Sequence, residues 1–177
     1  ENYKGESTKF TMCLELIETL KENGKKVLLF SSFTSIFDSF IEEFNQRGIK
    51  YHMITGAVDK KKRKEEVDAF QSDDSDVFLI SLKAGGTGLN LTKAQAVIHY
   101  DPWWNVSAQN QATDRAYRIG QTKNVLVYQL LMKNTIEAKI YEMQKRKKEM
   151  SDIFVENSNG GISTLSKEEL RDLFSME

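Results

Sequence analysis

Short apolar runs alternate with helical patterns along most of this chain, and that alternation constrains its fold most. Val27–Phe30 and Val77–Leu82 are strongly apolar stretches of strand length, as expected of strands buried on both faces. Further strands are predicted at Lys50–Thr55, Ala96–Tyr100 and Val125–Leu131. Regular repetition of strand, loop and helix predicts a mostly parallel sheet with helices on both faces, an α/β three-layer architecture.

The helical patterns between the strands have recognisable ends. Thr34 or Ser35 is expected to cap the helix after the first strand, and Gly48 to end it. The first helix is predicted to bury an apolar face that includes Cys13, which favours a core position over a reactive thiol. After Thr135 a long helix and a terminal amphipathic segment follow. We therefore expect one lobe over residues 1–134 and a helical extension over 135–177.

Composition limits the function. The 177 residues suffice for one ordinary domain, and 40% hydrophobic residues can fill its core. The net charge of -1 gives no global basic field, so nucleic-acid binding must come from local patches. The single cysteine excludes an internal disulfide. No apolar run is long enough to span a bilayer, and we expect no membrane partner.

Unusual loops follow four of the predicted strands, after Phe33, Thr55, Leu82 and Tyr100. The carboxyl ends of parallel strands share one edge of a sheet, and ligands bind there in open α/β folds. These loops therefore form the predicted ligand surface.

Two arginines, Arg115 and Arg118, stand three residues apart in a predicted helix. That spacing places both guanidinium groups on one helical face. Two forked, permanently charged donors aimed together suit a polyphosphate. A pair of solvated surface arginines is the alternative interpretation of the motif taken alone.

The loop Ala84-Gly-Gly-Thr-Gly-Leu-Asn90 follows a buried strand. Its glycines let the backbone approach a phosphate closely, although a tight turn explains them equally well. The loop lacks the Lys-Ser/Thr pair of a Walker A motif. Its glycine spacing also differs from the dinucleotide-binding fingerprint.

Several other residues have two interpretations. Trp103 and Trp104 follow a predicted strand end, where a tryptophan can stack on bases or cap the core, and core capping is favoured for Trp103. The run Lys60–Lys64 is typical of a solvated helix face, with phosphate contact as the minority interpretation. His52 and His99 lack metal-ligand spacing, so we expect them to be packed or hydrogen-bonded, and we predict no metal site.

The ordered set of motifs resembles one family closely. The motifs are Val27-Leu-Leu-Phe-Ser-Ser-Phe33, Thr55-Gly56, Lys83-Ala-Gly-Gly-Thr-Gly-Leu-Asn-Leu91, Asp101-Pro-Trp-Trp-Asn105 and Gln111-Ala-Thr-Asp-Arg-Ala-Tyr-Arg-Ile-Gly-Gln121. They resemble the second, C-terminal RecA-like lobe of Swi/Snf-type DNA translocases, within helicase superfamily two. The resemblance covers roughly residues 7–157, and the helix from Thr135 resembles the brace helix of that family.

The resemblance implies roles for individual residues. Arg115 and Arg118 match the arginine fingers that reach ATP. The positions that match the ATP cleft are Gln111, Asp114, Gly86 and Gly88. The positions that match DNA-contacting residues are Ser31, Ser32, Thr55, Gly56, Lys83, Thr87, Asn90 and Trp104, with Gly86 to Asn90 serving both DNA and cleft.

The resemblance also implies partners and a cofactor. ATP with Mg²⁺ would be held mainly by an N-terminal RecA-like lobe, whose Walker A lysine and Asp-Glu-x-His motif do not appear in this sequence. Double-stranded DNA would be the track, with a DNA-bound protein as a further partner, in an intracellular, DNA-associated location. We expect an ATPase only when both lobes are present, and no measurable turnover from the isolated chain.

Three alternatives stay open from the sequence. The chain is compatible with a nucleic-acid-binding module without a motor role. It is also compatible with a lobe of a strand-separating or RNA helicase. A flavodoxin-like ligand domain would use the same type of sheet, but it leaves Arg115, Arg118 and Trp104 unexplained.

Overall fold

A parallel five-stranded sheet forms the centre of the described chain. The computed structural model describes residues 8–85, 89–101, 124–133, 135–139, 141–143 and 145–146. The elements in chain order are α1 Thr8–Glu22, β1 Lys26–Ser31, α2 Ser35–Arg47, β2 Tyr51–Ile54, α3 Lys60–Ser72, β3 Val77–Ser81, α4 Leu82–Gly85, β4 Ala94–His99 and β5 Leu126–Gln129. The predicted RecA-like α/β architecture is confirmed.

The strands lie in the order β2-β3-β1-β4-β5, and every neighbouring pair is parallel. From β1 the chain goes to β2 on one side, and from β4 it goes to β5 on the other side. The strand order thus changes direction between β1 and β4, and crevices at such switch points bind ligands in open α/β sheets. Ser31 and His99, near the ends of β1 and β4, therefore mark the position where a site is expected.

Two apolar layers cover the two faces of the sheet. Alternation along β1 sends Leu28 and Phe30 into one layer and Val27 and Leu29 into the other. The first layer is completed by residues of α3, and the second by residues of α1 and α2. The helix residues buried in these layers are Val67 and Phe70 from α3, Cys13, Leu14, Ile17 and Leu20 from α1, and Phe37, Phe40 and Phe44 from α2. Helices on both faces are as predicted.

Cys13 is fully buried in the second layer, and burial raises the pKa of its thiol to about 12. The predicted core role of this cysteine is therefore confirmed. The thiol is protonated at neutral pH, and a protonated thiol is a poor nucleophile.

Helix α2 has one predicted and one unpredicted end. Gly48 ends it in the left-handed conformation, with φ of 62°, and its N–H donates to the carbonyl of Phe44. Thr34 occupies the N-cap position but makes no side-chain capping bond. Its backbone is already helical, with φ of -67° and ψ of -21°, whereas a capping residue is normally extended. The predicted position of the cap at Thr34 or Ser35 is therefore confirmed, but the side-chain bond expected of a cap is absent.

The glycine-rich loop begins later than predicted. Leu82–Gly85 forms a helical turn, α4, because Leu82, Lys83 and Ala84 are good helix formers. Strand β4 then begins at Ala94, two residues before its predicted start. The helical turn thus takes up the first residues of the predicted loop, and β4 is two residues longer at its start than predicted.

The chain divides into two compact units, Glu1–Ile140 and Tyr141–Glu177. Residues 136–139 are helical and belong to the first unit. The division proposed after residue 134 stays a prediction. No helix among the described residues has both the length and the apolar character needed to cross a membrane.

Candidate functional site

At the switch point, a buried aspartate links the loop after β1 to the end of β4. Asp101, two residues after the end of β4, accepts a hydrogen bond on Oδ2 from the hydroxyl of Ser31 at 2.6 Å. The same oxygen accepts the backbone N–H of Ser32 at 2.9 Å. Asp101 is 8% exposed and Ser31 1% exposed, so water competes little for these bonds. The carboxylate therefore fixes the loop after β1 to the end of β4.

The loop after β1 is exposed to solvent beyond its hydrogen bonds to Asp101. The N–H of Phe33 donates to the hydroxyl oxygen of Ser31 at 3.1 Å. The next residues, Ser32 to Ser35, are exposed, and Phe33 is 67% exposed. Of the two serines predicted to contact DNA, Ser32 therefore offers a solvent-facing hydroxyl, whereas the Ser31 hydroxyl is occupied by Asp101. Exposed hydroxyl donors on an ordered loop are suited to phosphate oxygens.

The second predicted phosphate loop follows β2. Thr55 is half-buried and Gly56 is exposed, and the N–H of Val58 donates to the carbonyl of Thr55 at 3.2 Å, closing a turn. Strand β3 separates β1 from β2, so the two loops leave the same edge about 10 Å apart, two strand spacings. The structure thus brings Ser32 and Gly56 to one edge of the sheet.

Asn90 lies on the segment that returns to β4. Its side chain is exposed, while its carbonyl accepts a hydrogen bond from Gln71 Nε2 at 3.0 Å. Gln71 Oε1 also accepts the N–H of Lys93 at 2.9 Å. The end of α3 therefore holds this segment in place, and the contact of Asn90 with DNA stays a prediction.

The remaining predicted site residues lie outside what the structure describes. They are Gly86, Thr87, Gly88, Trp104, Gln111, Asp114, Arg115 and Arg118. Lys83 lies in α4, and its side chain is also outside the described part. The arginine pair and its convergence on ATP accordingly stay predictions.

Two features of this edge were missed from sequence. The first is the anchoring role of Asp101, which was assigned only as the start of a tryptophan-containing turn. An acidic residue directly after a buried strand was the available signal, because buried carboxylates are rarely found without partners. The second is an ion pair in which Lys9 Nζ lies 2.8 Å from a carboxylate oxygen of Glu137. No spacing rule connects residues so far apart in sequence.

The two histidines behave as expected. His99 is fully buried and stacks on Phe30 with ring centroids 5.6 Å apart. Burial lowers its pKa to about 4, so the ring is neutral at pH 7. His52 hydrogen-bonds Glu66 and Asp73 at 2.7 and 2.6 Å. Among the residues that the structure describes, no group of three His, Cys, Asp or Glu side chains is arranged to hold a metal ion.

Known proteins match this chain over nearly its whole length. The helicase conserved C-terminal domain family matches residues 8–120. An uncharacterized ATP-dependent helicase of Mycoplasma pneumoniae is 44% identical over 170 residues, 95% of this chain and 16% of the relative. The putative ATP-dependent helicase/translocase YwqA of Bacillus subtilis is 38% identical over 173 residues, 97% of this chain and 19% of the relative. The chain thus spans less than a fifth of these relatives.

A chromatin-remodeling ATPase and a solved structure are similar as well. The chromatin-remodeling ATPase INO80 of Candida albicans is 40% identical over 158 residues, 89% of this chain and 11% of the relative. The crystal structure of the C-terminal part of the Fun30 ATPase domain has a TM-score of 0.75 at 35% identity, covering 80% of this chain and 47% of that one. The chain therefore belongs to the helicase conserved C-terminal domain family, in its Swi/Snf-type branch.

Proposed function

We propose that this chain is the second motor lobe of an ATP-dependent translocase on double-stranded DNA. The first lobe would hold ATP and Mg²⁺, and this lobe would supply Arg115 and Arg118 to the nucleotide and backbone contacts to the DNA. Membership of the Swi/Snf-type branch supports the proposal, as do the names of two relatives, an ATP-dependent helicase and a chromatin-remodeling ATPase.

The main observation behind the proposal is that Asp101 accepts two hydrogen bonds from the loop after β1. One buried oxygen holds both the Ser31 hydroxyl and the Ser32 N–H, which orders the exposed loop before any ligand arrives. Ordering in advance lowers the entropy lost on binding. Contacts to phosphate carry no sequence information, which suits a motor that moves along any DNA.

The chemistry of this lobe is electrostatic. In ATP hydrolysis the γ-phosphoryl group is transferred to water and ADP leaves, and the guanidinium groups of Arg115 and Arg118 would stabilise the charge on that group in the transition state. Closure of the two lobes brings the arginines to the nucleotide, and opening withdraws them. Phosphate contacts on the two lobes then alternate, and the protein steps along the duplex.

The test is DNA-stimulated ATP hydrolysis by the protein with both lobes. An arginine finger contributes roughly 10³ to 10⁵ in rate, so Arg115→Ala and Arg118→Ala should each nearly abolish turnover. Arg47→Ala is the control, because Arg47 pairs with Glu18 and Glu43 on the surface and should leave turnover unchanged. Near-normal hydrolysis by both finger variants would refute the proposal.

Strand separation is the second candidate, because the relatives are named helicases. Displacement of a third strand from triplex DNA reports translocation, and displacement of one strand of a duplex reports unwinding. We expect triplex displacement without duplex unwinding. Efficient unwinding would favour the second candidate.

A further inference from the structure

Unbalanced positive charge is concentrated at the start of α3. Four lysines there have exposed side chains, namely Lys60, Lys61, Lys62 and Lys64. Within the described part of the chain, no carboxylate lies within ion-pairing distance of their ammonium groups, whereas the exposed Lys50 pairs with Asp74. The first turn of α3 contains no acidic residue. The helix therefore begins with four exposed lysines that form no close ion pair, although Asp59 interacts electrostatically with Lys62, and Glu65 and Glu66 follow in the next turn.

These lysines stand at the unfavourable end of the helix. The helix dipole places positive charge at the N-terminus, where acidic side chains stabilise and basic ones destabilise. A face needed only for solubility would be served better by glutamates. Charge that opposes local stability is expected where a residue serves function.

The backbone at this helix start is already occupied. Asp59 Oδ1 accepts the N–H groups of Lys61 and Lys62 at 2.8 and 3.0 Å. Arg63 donates through Nη2 to the carbonyl of Val58 at 3.1 Å, which stabilises the loop before the helix. The groups left to meet an anion are therefore the four lysine side chains, and not the backbone N–H groups.

The four lysines lie beside the loops that are predicted to contact DNA. Helix α3 starts five residues after Thr55, at the edge of the sheet that carries the Ser32 and Gly56 loops. Strand β2 is an outer strand of the described sheet, so the lysines flank these loops. With a net charge of -1, the chain has no global field that would replace such a local patch.

We propose that Lys60, Lys61, Lys62 and Lys64 form an auxiliary contact with the phosphate backbone of duplex DNA, beside the Thr55-Gly56 loop. This inference rests on the proposed function, which assigns the DNA surface to the same edge. Lysines are flexible point charges, and they suit a phosphate contact that must form and release at each step. The four lysines therefore extend the DNA track beyond the family motifs.

The test is the salt dependence of binding to a duplex by the protein with both lobes, without nucleotide. Lys61→Gln with Lys64→Gln is the test variant. Lys25→Gln with Lys93→Gln is the matched control, because these lysines precede β1 and β4 at the opposite edge of the sheet. Each phosphate contact adds about 0.9 to the log–log salt slope. The test variant should lower that slope by about two, and lower the affinity roughly tenfold at about 0.1 M salt.

The control variant should keep both slope and affinity, and Lys61→Arg with Lys64→Arg should keep them too. An unchanged slope in the test variant would overturn the inference, as would an equal loss in the control. An acidic protein partner for the lysines would also appear as an unchanged slope on DNA. If the unmodified protein bound no duplex, the proposed function itself would fail.

Discussion

Lys9 and Glu137 form a partly buried ion pair across 128 positions of the sequence. Both carboxylate oxygens of Glu137 lie 2.8 Å from Nζ of Lys9. The lysine side chain is only 6% exposed, and its ammonium group lies 4.9 Å from the centroid of the Tyr100 ring. Glu137 also accepts the N–H of Met132 at 3.2 Å. The pair thus ties the start of α1 to the helical segment after β5.

Removal of the glutamate charge should destabilise the lobe more than removal of the lysine. Glu137→Gln leaves a buried ammonium without a countercharge, which costs roughly 3 kcal/mol. Lys9→Met leaves a carboxylate that is 23% exposed and keeps the N–H of Met132, so the loss should be smaller. Urea unfolding of both single variants and the double variant measures the coupling. A loss below about 1 kcal/mol for Glu137→Gln would contradict a significant buried pair.

Local patterns predicted the sheet and its helices because each element carries its own periodicity. The apolar runs of β1 and β3 need no partner to be recognised, and Gly48 marks the end of α2 by its backbone freedom. Strand order is different, because pairing joins residues distant in sequence. Nothing local predicts that β3 lies between β1 and β2 or that β4 pairs with β1, and the switch point beside Ser31 depends on the second of these pairings.

Motifs located the candidate site, but its supporting contacts escaped prediction. Ser32 and Gly56 were assigned from motif positions, and the fold brings them to one edge. Asp101 was missed because its role depends on β1 and β4 being neighbours. Glu137 was missed because its partner Lys9 lies in the first helix. Such contacts arise from tertiary packing, which cannot be predicted from the spacing of residues in the sequence.

The Asp101 anchor should control both stability and DNA binding. Asp101→Ala leaves the buried Ser31 hydroxyl and the Ser32 N–H without their acceptor, at a cost of about 2 to 3 kcal/mol. Ser31→Ala keeps the bond between the Ser32 N–H and Asp101 but removes the bond to Asp101 and the bond from the Phe33 N–H, so it should also destabilise the loop after β1. Chemical denaturation measures the loss of stability, and titration of labelled duplex DNA measures the change in DNA affinity.

Asp101→Ala should also bind DNA more weakly, because the loop that contains Ser32 is no longer held in place by the hydrogen bonds to Asp101. Ser72→Ala is a suitable control, since that hydroxyl donates only to backbone carbonyls within α3. If Asp101→Ala bound DNA as tightly as the unmodified protein, the loop would have no part in binding.

His52 should make the lobe less stable as the pH rises above neutrality. Burial of the ring lowers its pKa, but the hydrogen bonds of Asp73 and Glu66 raise it by more, so the folded-state pKa exceeds 6.5. A raised pKa gives stability that is complete below the unfolded value and is lost as the pH rises through the folded value. His52→Gln should therefore be less stable at pH 6, with the difference shrinking toward pH 9. A pH-independent difference would show that the pKa of His52 is the same in the folded and the unfolded chain, which would contradict the prediction.

His99 should act in the opposite direction and in a separate pH window. Its pKa falls from 6.5 to about 4 because the ring is buried, so the unfolded chain binds the proton more readily between those values. Stability should then fall as the pH drops from about 6.5 to 4, by up to about 3 kcal/mol from this group. His99→Phe keeps an aromatic ring beside Phe30 but cannot titrate. The variant should therefore become more stable relative to the unmodified chain as the pH falls through this window. The free energies of unfolding of both proteins, measured at several pH values, test this. Parallel curves for the two proteins would mean that the pKa of His99 is the same in the folded and the unfolded chain, which would contradict the prediction.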